Sequence, residues 1–188
     1  MTVKLVGRDD IAATGTQGYG RLFMGKFTAG ATGTVSEIKT RVRADEDGDI
    51  VLGIYADNAG EPGALFATTA STAVSSGAER EITVSLVANT TVVSGTSYWM
   101  ATNSTGGNFS AYKEETSVFR YKALAYGALP NPAGSGYTAN TIVNCIASGW
   151  GTTGWANIAK INGVLSSSIA KVNGIAVASI AKVNGVAV

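Results

Sequence analysis

The central part of the chain alternates between apolar and polar residues in short runs. Residues 21–27, 34–43, 79–87 and 97–102 follow this pattern, whereas residues 50–55 are almost continuously apolar. Alternation with a period of two indicates a strand with one buried face, and a continuous apolar run indicates a central strand. Further predicted strands cover residues 64–69, 91–93, 109–112, 118–122 and 138–147.

The predicted strand 34–43 departs from strict alternation. Its apolar residues Val35, Ile38 and Val42 are three and four positions apart, and a regular strand cannot turn all three toward one face. A β-bulge or a bend within the strand would bring them to the same side.

Short strands joined by glycine-rich turns predict an all-β fold. The chain has 24 glycines and only 14% charged residues, which suits such turns better than helices. About nine or ten strands favour an antiparallel β-sandwich, jelly-roll-like in type, with a C-terminal β-hairpin repeat extension. The predicted parts are an N-terminal arm (1–19), the β-sandwich (20–148) and an assembly segment (149–188), in which a Trp/Gly stretch precedes three repeats.

The C-terminal part of the chain repeats one unit three times, at a spacing of 11 residues. The units are residues 158–164, 169–175 and 180–186, and each has an Asn-Gly pair between apolar arms. Asn-Gly tolerates the positive φ at both central positions of a type I′ turn, so each unit is predicted to be a tight hairpin, with Val172 opposite Ile175. The predicted turn residues are Asn162, Gly163, Asn173, Gly174, Asn184 and Gly185.

The arms of these hairpins are apolar on both faces, so both faces need cover. A lone hairpin is marginally stable in water, and the cover must come from the preceding domain or from other copies of the chain. We favour other copies; the alternative is a meander that completes the sandwich. One lysine per repeat (Lys160, Lys171, Lys182) keeps exposed edges from pairing indiscriminately. The predicted assembly interface comprises Ile158, Ile161, Val164, Ile169, Val172, Ile175, Ile180, Val183, Val186, Trp150 and Trp155.

Charge is distributed unevenly along the chain, although the net charge is only +1. Residues 1–115 carry nine cations and 13 acids, a balance of −4, while residues 116–188 carry five cations and no acid. The two parts of the chain therefore carry net charges of opposite sign, which favours head-to-tail association of copies or binding of an anionic partner. Five cations spread over this length are too few for a nucleic-acid surface, which needs clustered Lys and Arg.

The residue types that catalysis commonly uses are scarce. The chain has no histidine, which excludes a Ser-His-Asp triad, a Cys-His pair and histidine metal ligands. Cys145 is therefore expected to be a small buried residue, and the adjacent Glu114 and Glu115 would point to opposite faces of a strand. We expect no enzymatic activity and no cofactor.

Acidic residues in two turn-like segments are candidates for calcium binding. Asp45, Asp47 and Asp49 alternate around a glycine, but the later glutamate of an EF-hand loop is missing. A hairpin turn at positions 47 and 48 is the favoured interpretation. Asp57 and Glu61, with Asn58 between them, would likewise bind calcium through oxygen or simply hydrogen-bond the turn.

Aromatic residues are the remaining candidates for contact with a ligand. Trp99 and Tyr98 lie in an apolar strand and are expected in the core. Trp150 and Trp155 have small polar neighbours, and we expect them to anchor a subunit interface. The alternative is that they form, with Tyr137, a platform on which a sugar ring stacks.

Two stretches resemble known kinds of protein. Residues 54–66, Ile-Tyr-Ala-Asp-Asn-Ala-Gly-Glu-Pro-Gly-Ala-Leu-Phe, followed by Leu86, 93–99 and Ala101, resemble a β-sandwich module of bacterial surface proteins and phage virion proteins, which is similar to carbohydrate-binding modules. The C-terminal units resemble short repeats in structural and appendage proteins of tailed phages. The resemblance covers residues 20–122 and the repeats.

These resemblances imply a structural, self-assembling protein of a virion or extracellular filament surface: a capsid decoration protein, fibre or appendage subunit. By analogy with such proteins, the expected partners are copies of the chain, as a homotrimer or larger, and a capsid or tail protein. The alternative is a carbohydrate-binding or host-attachment adhesin module, with a glycan as partner. Nucleic acid and membranes are not expected partners. The first ten residues lack the apolar stretch of a signal peptide, so synthesis in a cytoplasm is expected.

Overall fold

The computed structural model describes residues 2–8, 15–17, 20–105, 109–114, 118–140, 143–145 and 147–153, with six two-residue strands between positions 160 and 187. The strands are β1 (Val3–Gly7), β2 (Gly15–Gln17), β3 (Arg21–Thr28), β4 (Gly33–Ala44), β5 (Gly48–Asn58), β6 (Glu61–Thr68), β7 (Thr72–Val74), β8 (Gly77–Val92), β9 (Ser97–Ser104), β10 (Phe109–Glu114), β11 (Phe119–Ala123), β12 (Thr138–Asn140), β13 (Val143–Cys145) and β14 (Ala147–Thr153). The short strands are β15 (Lys160–Ile161), β16 (Val164–Leu165), β17 (Lys171–Val172), β18 (Ile175–Ala176), β19 (Lys182–Val183) and β20 (Val186–Ala187).

Two antiparallel sheets form the sandwich. The first sheet has the order β1-β14-β4-β8, and the second has the order β12-β11-β3-β9-β5-β6, with β7 also paired to β5. A smaller sheet, β13-β10-β2, is also antiparallel. No helix occurs among the residues described, and the predicted all-β antiparallel sandwich is confirmed.

The main hydrophobic core lies between the two large sheets. Strand β4 contributes Val35, Ile38 and Val42, all fully buried. A register shift between Val35 and Glu37 supplies the extra residue that brings Val35 and Ile38 to the same face, so the predicted bulge is confirmed. The predicted alternation of β8 is also found, since Val84 and Leu86 are buried and their neighbours are exposed.

A second hydrophobic cluster covers the outer face of the second sheet. Strands β5 and β9 contribute Tyr55 and Trp99 to this cluster, while their alternate residues face the main core. Residues 126–137, a segment without strands, lie over these side chains and pack Leu129 and Ala133 against them. The sheet is therefore buried on both faces at its centre, and this confirms the central strand predicted from the apolar run 50–55.

The predicted hairpin at positions 47 and 48 is wrong. Strand β4 belongs to the first sheet and β5 to the second, so the acidic segment connects two sheets. The Asp47 carboxylate accepts a hydrogen bond of 2.6 Å from the Ser76 backbone N–H, which fastens this connection to the segment before β8. Strand β5 is apolar on both faces, and inside the second sheet both of its faces are covered. If it paired with the amphipathic β4 in the first sheet, its outer face would be exposed to water.

Residues on both sides of the predicted sandwich boundaries take part in the first sheet. Strand β1 lies within the predicted N-terminal arm, and β14 extends into the predicted assembly segment. The two strands pair with each other, and Leu5, Val6 and Ala147 join the main core.

Candidate functional site

The three C-terminal repeats contain three short antiparallel pairs. The pairs are β15 with β16, β17 with β18, and β19 with β20, and each forms a two-stranded sheet of its own. Val172 lies opposite Ile175, which is the pairing that a two-residue turn at 173–174 gives. The equivalent pairs are Ile161 with Val164 and Val183 with Val186.

Several residues predicted for assembly lie outside the described residues. The hairpin turns and the assembly interface therefore stay predictions, as does the burial of the Cys145 side chain in β13. The predicted residues outside the described ranges are Ile158, Ile169, Ile180, Trp155, Asn162, Gly163, Asn173, Gly174, Asn184 and Gly185.

Trp150 lies on the outer face of the first sheet. The preceding residue, Gly149, is on the inner face of β14, because a Cβ added to it would lie 3.0 Å from a methyl of the core residue Val6. Since side chains alternate along a strand, Trp150 is on the opposite, outer face. The indole Nε1 of Trp150 donates a hydrogen bond of 2.8 Å to Ser148 Oγ, and Lys39 Nζ lies 4.1 Å from the ring centroid. The ring is thus half-buried and already has a cation over one face.

The first set of calcium candidates is not gathered into one site. Asp47 bonds the Ser76 backbone, Asp45 lies 3.6 Å from Arg43 Nε, and the backbone of Asp49 bonds Thr105. Within the described ranges, no group of three or more Asp, Glu, Cys or His residues is placed to hold a metal ion.

The second set of candidates belongs to a charged cluster around Trp99. Asp57 Oδ1 accepts a 2.8 Å hydrogen bond from Trp99 Nε1 and lies 2.9 Å from Lys26 Nζ, while its Oδ2 accepts from the Gly60 N–H at 3.2 Å. Lys26 Nζ is also 5.9 Å from the Trp99 ring centroid. The carboxylate is therefore held by a cation, an indole and a turn.

Glu61 closes the same cluster from the other side of the β5–β6 turn. Both oxygens of its carboxylate share the single Nε–H of Arg120, at 3.2 Å and 3.0 Å, and Oε1 also accepts a hydrogen bond of 2.7 Å from Nη2. The Arg120 guanidinium lies 5.8 Å from the Trp99 ring centroid. Hydrogen bonds from Arg120 lower the pKa of Glu61, and the paired groups carry no net charge.

The contacts of Asp57 predict that its charge stabilises the fold and that this effect depends on pH. Burial by itself raises the pKa of Asp57, but hydrogen bonds from Lys26, Trp99 and Gly60 outweigh burial and bring the pKa below its ordinary value of 3.8. A folded-state pKa below the unfolded one gives stability that is present above the unfolded pKa and lost as the pH falls through the folded pKa.

We therefore expect Asp57→Asn to lower the free energy of unfolding by about 1–2 kcal/mol near neutral pH. This difference from the unsubstituted protein should shrink as the pH falls below 3.8, the ordinary pKa of the carboxyl group. Urea unfolding between about pH 7 and pH 3 measures it, with Asp45→Asn as an exposed control. A difference that stays constant over this range would contradict the role of the charge.

Tyr137 is fixed beside this cluster. Its hydroxyl donates a hydrogen bond of 2.7 Å to the Ala133 carbonyl, and Lys122 Nζ lies 4.6 Å from the ring centroid. Lys122 Nζ also donates to the Ala133 carbonyl. Burial raises the pKa of Tyr137 and the nearby carboxylate of Glu61 raises it further, so the hydroxyl stays protonated.

A cleft of about 350 Å³ opens between the β5–β6 turn and residues 134–136. Gly134 and Gly136 have φ angles of 80° and 83°, which glycine adopts without strain and which shape this wall. The lining residues are Asn58, Glu61, Pro62, Gly134, Ser135, Gly136 and Tyr137.

Of the predicted sugar platform, the structure describes Trp150 and Tyr137, and it does not bring these two residues together. Trp150 lies on the outer face of the first sheet, whereas Tyr137 packs on the cluster that covers the outer face of the second sheet. Tyr137 instead lines one cleft with Asn58 and Glu61, which the sequence indicates only as calcium candidates or turn residues.

The sequence alone does not single out the cations of this cluster. Lys26 and Arg120 lie in strands, where a polar residue usually marks the solvent face. The available signal was weak: Lys26 follows Leu22 and Met24 at alternate positions, so one face of β3 ends in a charge.

Neither a protein-family model nor a curated protein sequence matches the chain. In the part of the chain that the structure describes, no helix is long and apolar enough to cross a membrane.

Proposed function

We propose that this protein is a structural subunit that self-assembles on the surface of a virion or an extracellular filament. In this proposal the C-terminal repeats hold copies of the chain together, as a trimer or a larger assembly. The observation that carries it is the set of three short strand pairs, each outside the sheets of the sandwich.

The size of these pairs supports a role in association. Each strand of a pair has two residues, and an isolated two-stranded sheet gains too little from its own hydrogen bonds and contacts to be stable in water. The three units are alike and recur every 11 residues, so they can stack on the corresponding units of another copy. Such stacking would bury the apolar faces of all three units together.

The distribution of charge and the resemblance of the repeats support the same proposal. The repeats carry one lysine each and no acid, while residues 1–115 carry a balance of −4, so copies attract one another at unlike ends. The likeness of the repeats to those of phage appendage proteins favours a virion as the setting.

The proposal is tested in the full chain by replacing one apolar residue of each strand pair. We expect the triple variant Ile161→Thr, Val172→Thr, Val183→Thr to be monomeric where the unsubstituted protein is trimeric or larger. Each hydroxyl placed in a dry interface without a partner costs about 1–3 kcal/mol, and the cost recurs in every repeat of every copy. Light scattering across a dilution series measures the mass.

The matched control replaces three exposed valines of the sandwich. Val87, Val93 and Val118 are 70%, 50% and 46% exposed, and their joint replacement by threonine should leave the mass unchanged. If the repeat variant keeps the full oligomer mass, or if the unsubstituted protein is a monomer at every concentration, assembly through the repeats is excluded. Electron microscopy of the assembled protein then distinguishes a closed oligomer from a filament.

A further inference from the structure

We propose that the cleft beside Tyr137, defined above by its seven lining residues, binds a neutral saccharide. This function is separate from assembly, because the cleft is built only from the β5–β6 turn and residues 134–137 of the sandwich. The size of the cleft, the balance of its charges and the fixed position of its aromatic ring all suit such a ligand.

The size of the cleft suits a small ligand. Its volume of about 350 Å³ lies near the lower end of the range for ligand pockets, roughly 300–1,000 Å³. A site of this volume accepts roughly one or two sugar rings and leaves the rest of a longer chain in solvent.

The polar groups of the cleft favour a ligand without charge. Glu61 is the more exposed partner of its ion pair, with 54% of its side chain exposed against 18% for Arg120. An anionic ligand would meet this carboxylate first, and a cationic ligand would compete with a guanidinium that already donates to it from both Nε and Nη2. A sugar hydroxyl, in contrast, both donates and accepts, and can bond the spare lone pairs of Glu61.

Asn58 and Ser135 extend this set of hydrogen-bonding groups. An amide offers a donor and an acceptor side by side, and a hydroxyl offers both in one atom, which is the pattern that adjacent sugar hydroxyls require. The backbone at Gly134 and Gly136 has no side chain, so a ligand can approach the main chain closely.

The ring of Tyr137 is held in place before any ligand arrives. The bond to the Ala133 carbonyl and the Lys122 ammonium over the ring fix its orientation. The exposed part of this half-buried ring offers an apolar surface to the C–H face of a pyranose and needs no further ordering. The ring gives apolar contact, and the polar rim gives specificity.

Saturation-transfer NMR on the full-length protein tests this proposal. The probes are glucose, galactose, mannose and N-acetylglucosamine with their β1,4- and α1,4-linked disaccharides, and glucuronate as an anionic comparison. We expect at least one neutral sugar to bind with a Kd on the order of 1 mM and more tightly than glucuronate. Assembly-deficient protein carrying the three threonines in its repeats should bind with the same affinity, so the two proposals fail separately.

Substitutions locate the binding. Tyr137→Ala should weaken binding at least about tenfold, while Tyr137→Phe, which keeps the ring, should change it less than about threefold. Glu61→Gln should also weaken it, and Trp150→Ala, on the outer face of the other sheet, should have no effect. The absence of a signal from every neutral sugar overturns the proposal, as does binding that survives Tyr137→Ala or that favours glucuronate.

Discussion

Gly151→Ala is expected to lower the free energy of unfolding by about 3 kcal/mol or more. A Cβ at this position would lie 1.8 Å from the carbonyl oxygen of Thr34 and 2.8 Å from the Cα of Val35. Both atoms are backbone of β4, the strand that pairs with β14 here, so no side chain can rotate to make room. The two strands would have to separate at the bulge.

Urea unfolding followed by circular dichroism measures this effect. The matched control is Gly30→Ala, at an exposed glycine whose added Cβ has no heavy atom within 4 Å. The control should change stability by less than about 0.5 kcal/mol. Equal stability of the two variants would show that β14 and β4 are not in contact as the structure places them.

The features of the fold that can be predicted from the sequence are those that depend on the pattern of neighbouring residues within one strand. The run 50–55 is apolar at inward and outward positions alike, and burial on both faces is the only arrangement that keeps it dry. The spacing of Val35 and Ile38 likewise requires an extra residue between two inward positions, and the bulge supplies it.

The choice of strand partners did not follow, because turn residues specify a change of direction and not the sheet in which the next strand pairs. The segment 45–49 has the composition of a hairpin turn, yet it carries the chain from one sheet to the other. The pairing of β1 with β14 joins residues from opposite ends of the sandwich, and no local pattern announces it.

The candidate site was predictable only in part for the same reason. Tyr137 is predicted as part of a sugar platform, but several of its neighbours in the cleft come from the distant β5–β6 turn. The predicted platform groups Tyr137 with Trp150 because the two lie near each other in the sequence, whereas the fold places them on different outer faces. Proximity in the sequence carries little information on side-chain contacts between sheets.

Trp99 links the second hydrophobic cluster to the charged cluster, and its loss is the other large effect that we expect. The side chain is fully buried, so Trp99→Ala should lower the free energy of unfolding by about 3–5 kcal/mol through the cavity it leaves. It also removes the indole donor to Asp57 and the ring near Lys26 and Arg120. The ion pairs that hold the β5–β6 turn beside the cleft would therefore be less well fixed.

A comparison of Trp99→Phe with Trp99→Ala separates packing from hydrogen bonding. Phenylalanine keeps most of the apolar volume and loses the N–H to Asp57, so we expect it to cost about 1–3 kcal/mol in urea unfolding. The Phe substitution should cost less when Asp57 is already asparagine, because the two residues share one interaction. A loss below about 1 kcal/mol for Trp99→Ala would contradict the burial of this side chain, and strictly additive effects of Trp99→Phe and Asp57→Asn would contradict the bond between them.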